Sequence, residues 1–258
     1  MPIAIAMGLI GLPAEDRPDL LTIAEDLVRS GEPRKQEAAF QRVFDYFGGK
    51  IIPARRAHPG DDIVSAILHG KVEGGREPTD QEVLLLCVLL IAGGLDTVVS
   101  MMSFMALFLA QHPAHRQQLL DEPQVIPLAV EELMRRHHIA NLSRLVVRDL
   151  EYGGVHFKAG DLVLLPLSAA GVDEQRYADA MTVDFQRGEK RSLVFGRGPH
   201  QCIGQFLARA ELRVFLSEWL RRIPHFEVKA GERAIAMPGK ANGFRYLPLT
   251  WKVSEQST

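Results

Sequence analysis

Phe195-Gly-Arg-Gly-Pro-His-Gln-Cys202-Ile-Gly204 decides how the rest of this chain is read. One cysteine sits between glycine-bearing segments. An apolar, helix-periodic run follows at once: Phe206, Leu207, Ala210, Val214, Trp219 and Leu220. Cys202 is therefore expected at the mouth of a helix, where free backbone N–H groups and the positive dipole end favour an anion. A thiol placed there loses its proton more easily, and the thiolate is the form that binds metal. Gly198 and Gly204 let the backbone approach a flat group, or take positive φ, without a Cβ clash. Phe195 is expected beside the sulfur, keeping water off it. A buried structural cysteine in a glycine-rich turn is the alternative. The joint spacing of Phe, Gly, His, Cys and Gly favours the ligand.

Composition narrows the classes. The chain has 258 residues and a net charge of -2, which gives no reason to expect nucleic acid as a partner. There are 2 cysteines, Cys87 and Cys202, and no C-x-x-C, so neither a zinc site nor a disulfide framework is indicated. A reducing, cytoplasmic setting fits. The start, Met1-Pro-Ile-Ala-Ile-Ala, is apolar but lacks a basic region, so it is a poor signal peptide.

Along the chain, Leu20 to Val28 reads as a short amphipathic helix. A second helix is expected from about Lys35 to Arg56, with Phe40, Val43, Phe44, Phe47 and Ile51 as its stripe and Pro53 near its end. Asp61-Asp62 starts a brief helix through Leu68, Glu73-Gly-Gly-Arg reads as a turn, and Thr79 or Asp80 caps the next element. Val83 to Ala110 is apolar on all sides, which suits a central buried helix or a membrane span. Gly93-Gly94 and Asp96-Thr97 in its middle argue against the span, since a charge at bilayer depth is costly. Paired glycines, an acid and a hydroxyl suit a helix that bends around a ligand. The plainer alternatives are a hydroxyl returned to its own helix and an ordinary salt bridge. Cys87 reads as a packed apolar cysteine.

A helix from Pro127 to Arg136 places Glu132 and Arg135 three apart on one face. Short β-like runs follow at Leu142–Val147, Glu151–Phe157 and Leu162–Pro166. The helix after Cys202 is expected to stop at Ile223-Pro224. The tail from Ala241 to Trp251 reads as a turn and strand.

The pattern Phe-x-x-Gly-x-His-x-Cys-x-Gly resembles the haem-binding loop of the cytochrome P450 family. Gly93-Gly-Leu-Asp96-Thr97 resembles the family's oxygen-activating stretch, and Glu-x-x-Arg its buried pair. The resemblance implies a mainly α fold with small β-sheets: the cytochrome P450 fold, C-terminal portion only, as one haem domain over residues 1–258. It implies haem b, with Cys202 as the axial thiolate, which pushes electron density to the iron. His200 and Arg144 would then meet the propionates, and Phe195, Gly198, Gly204 and Gly93 would lie beside the haem. Asp96 and Thr97 would handle protons. Arg187 would complete the pair Glu132–Arg135, a network that braces the cysteine loop. Ala92, Ala140, Leu142 and Ala241 would line the substrate pocket, with Ile139 and Asn242 nearby.

The chain is most similar to the soluble bacterial camphor-hydroxylase type. That implies a haem-thiolate monooxygenase, a small hydrophobic terpenoid-like substrate, a 2Fe–2S ferredoxin as electron donor, and no membrane or nucleic acid partner. The match begins inside the family pattern, so an N-terminally truncated form is expected. The alternative is a non-catalytic fragment that binds haem weakly or not at all and self-associates through exposed apolar surface. A peroxide-using relative is a variant that the Asp96–Thr97 pair disfavours.

Overall fold

Proline and glycine set most of the element boundaries. The computed structural model describes residues 2–28, 30–94, 96–188, 192–238 and 241–252, and divides into two compact units, 1–99 and 100–258. It is mainly helical with small sheets.

The first unit holds α1 (Pro2–Ile10), α2 (Arg17–Val28), α3 (Pro33–Tyr46), α4 (Ile52–Ala57), α5 (Ile63–Leu68) and α6 (Asp80–Gly94). The single helix expected from Lys35 to Arg56 is interrupted by a wider π turn at Phe47–Ile51. Pro53 has no N–H, and its ring would crowd the carbonyl four residues back. The wide turn over Gly48-Gly49 relieves that conflict, so Pro53 lies in the first turn of α4 rather than at a helix end. The buried stripe is Ala39, Val43 and Phe47, whereas Phe40, expected inside, is exposed. Caps fall where short polar side chains allow. The Asp62 carboxylate accepts the Ser65 N–H at 2.8 Å ahead of α5. Thr79 and Glu82 form a reciprocal capping box: Glu82 N–H donates to Thr79 Oγ1 at 3.3 Å, and Thr79 N–H to Glu82 Oε2 at 2.8 Å.

α6 is not buried all round. Val83, Cys87, Val88 and Ile91 are buried, whereas Leu85, Leu86 and Leu89 are exposed. The stretch Asp80–Gln111 is long and apolar enough to cross a membrane by length and composition. Within it, α6 is described to Gly94 and α7 over Thr97–Gln111.

The second unit contains most of α7, then α8 (Pro113–Asp121), α9 (Ile126–Arg136), β1 (Asn141–Leu145), β2 (Leu150–Tyr152), β3 (Val155–Phe157), β4 (Leu162–Pro166), α10 (Leu167–Gly171), α11 (Gln205–Arg222), β5 (Phe226–Val228), β6 (Ile235–Met237), β7 (Gly243–Tyr246) and β8 (Leu249–Trp251). Among the described residues the strand pairs β1–β4, β2–β3, β5–β8 and β6–β7 are antiparallel. Gly153 and Gly154, at φ 59° and 77°, close the β2–β3 hairpin in the conformation that matches strand twist. α9 packs on α10 and α11. Its Ala129, Val130, Leu133 and Met134 are buried, as are Leu212, Leu216 and Leu220 of α11. Each buried leucine contributes roughly 1.5–3 kcal/mol. The α11 face differs from the expected one: Phe206 and Val214, both in the apolar run, point to solvent.

An aromatic cluster joins the end of α7 to α8 and α9. His112 stacks on Phe108 at 4.1 Å between centroids, and His137 lies 5.6 Å from Phe108 and 5.9 Å from Phe104. Burial, reinforced by the Arg136 charge and by His112, pushes the His137 pKa down to about 4 from 6.5. A proton therefore binds the unfolded chain first as pH falls. Stability should decline from about pH 6.5 to about pH 4, and level off below that for this group. His137→Phe is expected to flatten the dependence of the urea midpoint on pH over that window. An unchanged slope would assign the acid sensitivity to other groups.

Candidate haem-thiolate site

The cysteine loop is built by two left-handed glycines. Gly196 and Gly198 have φ of 68° and 76°, a region that side chains resist. The Gly196 N–H donates to the Leu193 carbonyl at 2.8 Å, a 3-10 turn covers Gly198–His200, and the Cys202 N–H donates to the Phe195 carbonyl at 2.9 Å. The loop thus closes on itself just ahead of α11. Of the two uses expected for glycine here, Gly198 takes positive φ and Gly204 does not. At φ -80° it N-caps α11, and a Cβ there would stand 3.9 Å from the Cys202 sulfur, an ordinary contact.

Cys202 is a free, exposed thiol. The Phe195 ring, expected to keep water off the sulfur, lies under the guanidinium of Arg209, 4.4 Å from its centroid, and the cysteine is exposed. Beside the cysteine, Ile203 is 85% and Phe206 77% exposed. A soft thiol donor beside exposed aliphatic and aromatic surface fits a flat apolar macrocycle with a metal at its centre. His200 is exposed, and so is Arg144, which donates to the neighbouring Ser143 carbonyl at 2.8 Å. Both are cations or donors that an acidic edge group could reach. Cys87, by contrast, is fully buried, and burial pushes its thiol up to about 12.

The expected Glu132, Arg135 and Arg187 network is present and buried. Glu132 is 5% and Arg135 2% exposed. Arg135 Nε and Nη2 grip the two Glu132 oxygens at 2.8 and 2.7 Å. Its remaining donors meet the carbonyls of Ala180 at 2.8 Å, Thr182 at 3.1 Å, and Gly171. All five guanidinium hydrogens are therefore used. Gly171 has to be glycine, since a Cβ would lie 2.1 Å from the Arg135 carbonyl oxygen. Arg187 reaches Glu132 at 3.1 Å and the carbonyls of Ala178, Asp179 and Thr182 at 2.6, 3.2 and 2.8 Å. Burial raises the Glu132 pKa, but bonds from Arg135, the Asp184 N–H and Arg187 outweigh it, and the net shift is downward. Beyond its own members the network meets main-chain groups, and the Arg135 guanidinium also lies over the Tyr177 ring, 5.1 Å from its centroid, which suits a brace.

In the first unit, Asp96 precedes α7 and Thr97 is its first residue. Leu95 lies outside the described residues. Thr97 Oγ1 donates to the Gly93 carbonyl at 2.7 Å, so its hydroxyl is returned to the backbone four residues back. Gly93 is exposed and uncrowded. Ala92 is half-buried on α6. In the second unit, Ala140 and Ala241 face each other in an isolated bridge. The Asn242 N–H donates to the Ile139 carbonyl at 2.7 Å, which ties the tail to the segment before β1. Leu142 is two residues on from Ala140 and half-buried.

Two features had no signal in the sequence. Glu131 and Arg209 form an ion pair at 2.6 Å beside the Phe195 ring. Glu211 is buried on α11, and burial raises its pKa.

The chain is similar to proteins of one family. The family model described as Cytochrome P450 matches residues 34–248. Probable cytochrome P450 127A1 of Sinorhizobium fredii is 34% identical over 248 residues, covering 96% of this chain and 59% of that protein. Mycinamicin VIII C21 methyl hydroxylase of Micromonospora griseorubida is 33% identical over 225 residues, 87% of this chain and 57% of that protein. The crystal structure of cytochrome P450 CYP101C1 superposes with a TM-score of 0.87 at 38% identity, covering 98% of this chain and 63% of that one. The chain thus spans about three-fifths of the length of these relatives.

Proposed function

The chain belongs to the cytochrome P450 family, and on that premise we propose that it acts as a haem-thiolate monooxygenase on a small apolar, terpenoid-like molecule. The reaction is R–H plus dioxygen, two electrons and two protons, giving R–OH and water. Haem b, when bound, supplies the oxygen activation and insertion chemistry. The observation that carries the reading is the closed Phe195–Gly204 loop, which offers a free, exposed Cys202 beside apolar Ile203 and Phe206.

Within that reading, residues 1–258 act as one haem-binding domain. Cys202 would hold the metal through its sulfur as thiolate, and His200 and Arg144 would donate hydrogen bonds to the propionates and so orient the ring. The small or apolar side chains of Ala92, Ala140, Leu142 and Ala241 exclude water from the substrate. With the cofactor bound, Asp96 would take protons from solvent and the Thr97 hydroxyl, which now donates to the Gly93 carbonyl, would pass them toward the substrate side. Electrons come from a 2Fe–2S ferredoxin in the cytoplasm. Relatives named as hydroxylases support the reaction type. Exposed Leu145, Leu162 and Leu164 on the β1–β4 pair support self-association.

The test is coupling. Thr97→Ala in the haem-loaded chain is expected to keep oxygen consumption while hydrogen peroxide per NADH rises several-fold and product falls. Thr97→Ser should recover most of the coupling, because it keeps the hydroxyl. Asp96→Asn should slow turnover and enlarge the solvent isotope effect, and the two effects should not add, since the residues are adjacent. Coupled hydroxylation at the parent level in Thr97→Ala would leave Thr97 as an ordinary helix hydroxyl.

A further inference from the structure

We propose that Arg209 is the positioning residue of the cysteine loop: held by Glu131, it clamps the Phe195 ring, and through Phe195 it fixes the backbone that presents Cys202. The inference rests on Cys202 being the metal ligand. It adds a second brace, separate from the Glu132 network.

The argument starts from two adjacent carboxylates on α9. Glu131 and Glu132 are consecutive, so a helix sends them about 100° apart. Glu132 turns into the buried network with Arg135 and Arg187. Glu131 turns to α11. Its two oxygens take Arg209 Nε at 2.6 Å and Nη2 at 3.2 Å, a forked pair that fixes the guanidinium plane. Arg209 Nη1 adds bonds to the Gln205 carbonyl and side-chain oxygen, both at 3.3 Å. The plane held in this way covers the Phe195 ring at 4.4 Å. A guanidinium over an aromatic face attracts through the ring quadrupole, more strongly where water is partly excluded. Arg209 and Glu131 are both less than a quarter exposed, so this pair is better shielded than the ordinary surface ion pairs of the chain.

Phe195 joins the clamp to the ligand. Its ring is under Arg209, and its carbonyl accepts the Cys202 N–H at 2.9 Å. The intervening Gly196 and Gly198 are the residues with the greatest backbone freedom, so the loop between Phe195 and Cys202 has little stiffness of its own. Fixing Phe195 therefore removes freedom at the sulfur's own backbone. Lysine cannot replace Arg209 in this role: it carries the charge but has neither the fork nor the flat face.

The first measurement is amide hydrogen exchange in the full chain without haem. Arg209→Ala and Glu131→Gln are expected to raise exchange in the peptide spanning residues 196–204 by about tenfold, the factor a cation–π contact of about 1.4 kcal/mol corresponds to. Peptides from β1 and β4 should keep parent exchange, which shows that the variants fold. Arg209→Lys should resemble Arg209→Ala. A purely electrostatic role would instead be rescued by lysine, and that rescue overturns the clamp. Phe195→Leu combined with Arg209→Ala should be no worse than either alone. Parent-like exchange at 196–204 in Arg209→Ala also overturns the proposal.

The second measurement uses haem-loaded protein. Arg209→Ala should keep haem content within about twofold of the parent while the thiolate-ligated fraction of the reduced-CO spectrum falls about tenfold at matched pH. If the parent has no thiolate band, the haem reading fails, yet the exchange experiment still decides the clamp. An unchanged thiolate fraction in Arg209→Ala with increased loop exchange would show that the clamp does not act on the ligand, and the proposal fails.

Discussion

Replacing Glu132 with alanine is expected to destabilise the chain by about 3–5 kcal/mol and to lower haem content and soluble yield together. The variant removes both oxygens that Arg135 and Arg187 face, and Arg135 is almost fully buried. Its charge would be left without a counter-charge in a place that water cannot reach. Domains are stable by only about 5–15 kcal/mol, so a loss of this size leaves little margin. Glu132→Gln should fall between, since one oxygen still accepts. The folded pKa of Glu132 is depressed, so its contribution is present above the unfolded value near 4.5 and is lost as pH falls through the folded value. Urea midpoints and haem per chain measure the effect. Full haem occupancy with only turnover lost in Glu132→Ala would assign Glu132 to the chemistry instead of the brace.

The motif-bearing parts of the fold were legible because each depends on local chemistry. The turn glycines, the Asp62 and Thr79 caps, and the Glu132–Arg135 spacing each specify geometry within a few residues. The third member, Arg187, could be placed only through family resemblance, since it is 55 residues from Glu132 in sequence. Faces were read less well. Of the periodic run after Cys202, Leu220 is buried but Phe206 and Val214 are exposed, and the buried face is completed by Leu212 and Leu216 on a helix that packs on α9. Apolar residues were too evenly spread on α11 and α6 for periodicity to choose a side. The π turn at Phe47–Ile51 was hidden because Gly48, Gly49 and Pro53 act together across five positions. The Glu131–Arg209–Phe195 contacts were not legible at all, since nothing in a sequence says which helix a surface carboxylate will meet.

The other large effect concerns Cys202. The chain has two cysteines, and they sit in opposite environments. Cys87 is buried at a helix interior position, with its thiol pushed up to about 12 by burial, so it remains protonated at neutral pH and offers no ligand. Cys202 is exposed, ahead of a helix N-terminus, with its amide tied to Phe195. Serine keeps the size of the side chain but replaces a soft anionic sulfur by a weakly acidic hydroxyl, so the ligand field at the metal should change completely. Cys202→Ser is therefore expected to lose thiolate ligation outright, whatever haem it still retains, while Cys87→Ser changes only packing.

The most direct measurement is the reduced-CO difference spectrum of the haem-loaded parent beside Cys202→Ser and Cys87→Ser, at matched haem concentration. The account predicts the long-wavelength thiolate band in the parent and in Cys87→Ser, and its absence in Cys202→Ser. A thiolate band that survives in Cys202→Ser, or that disappears in Cys87→Ser alone, would contradict it.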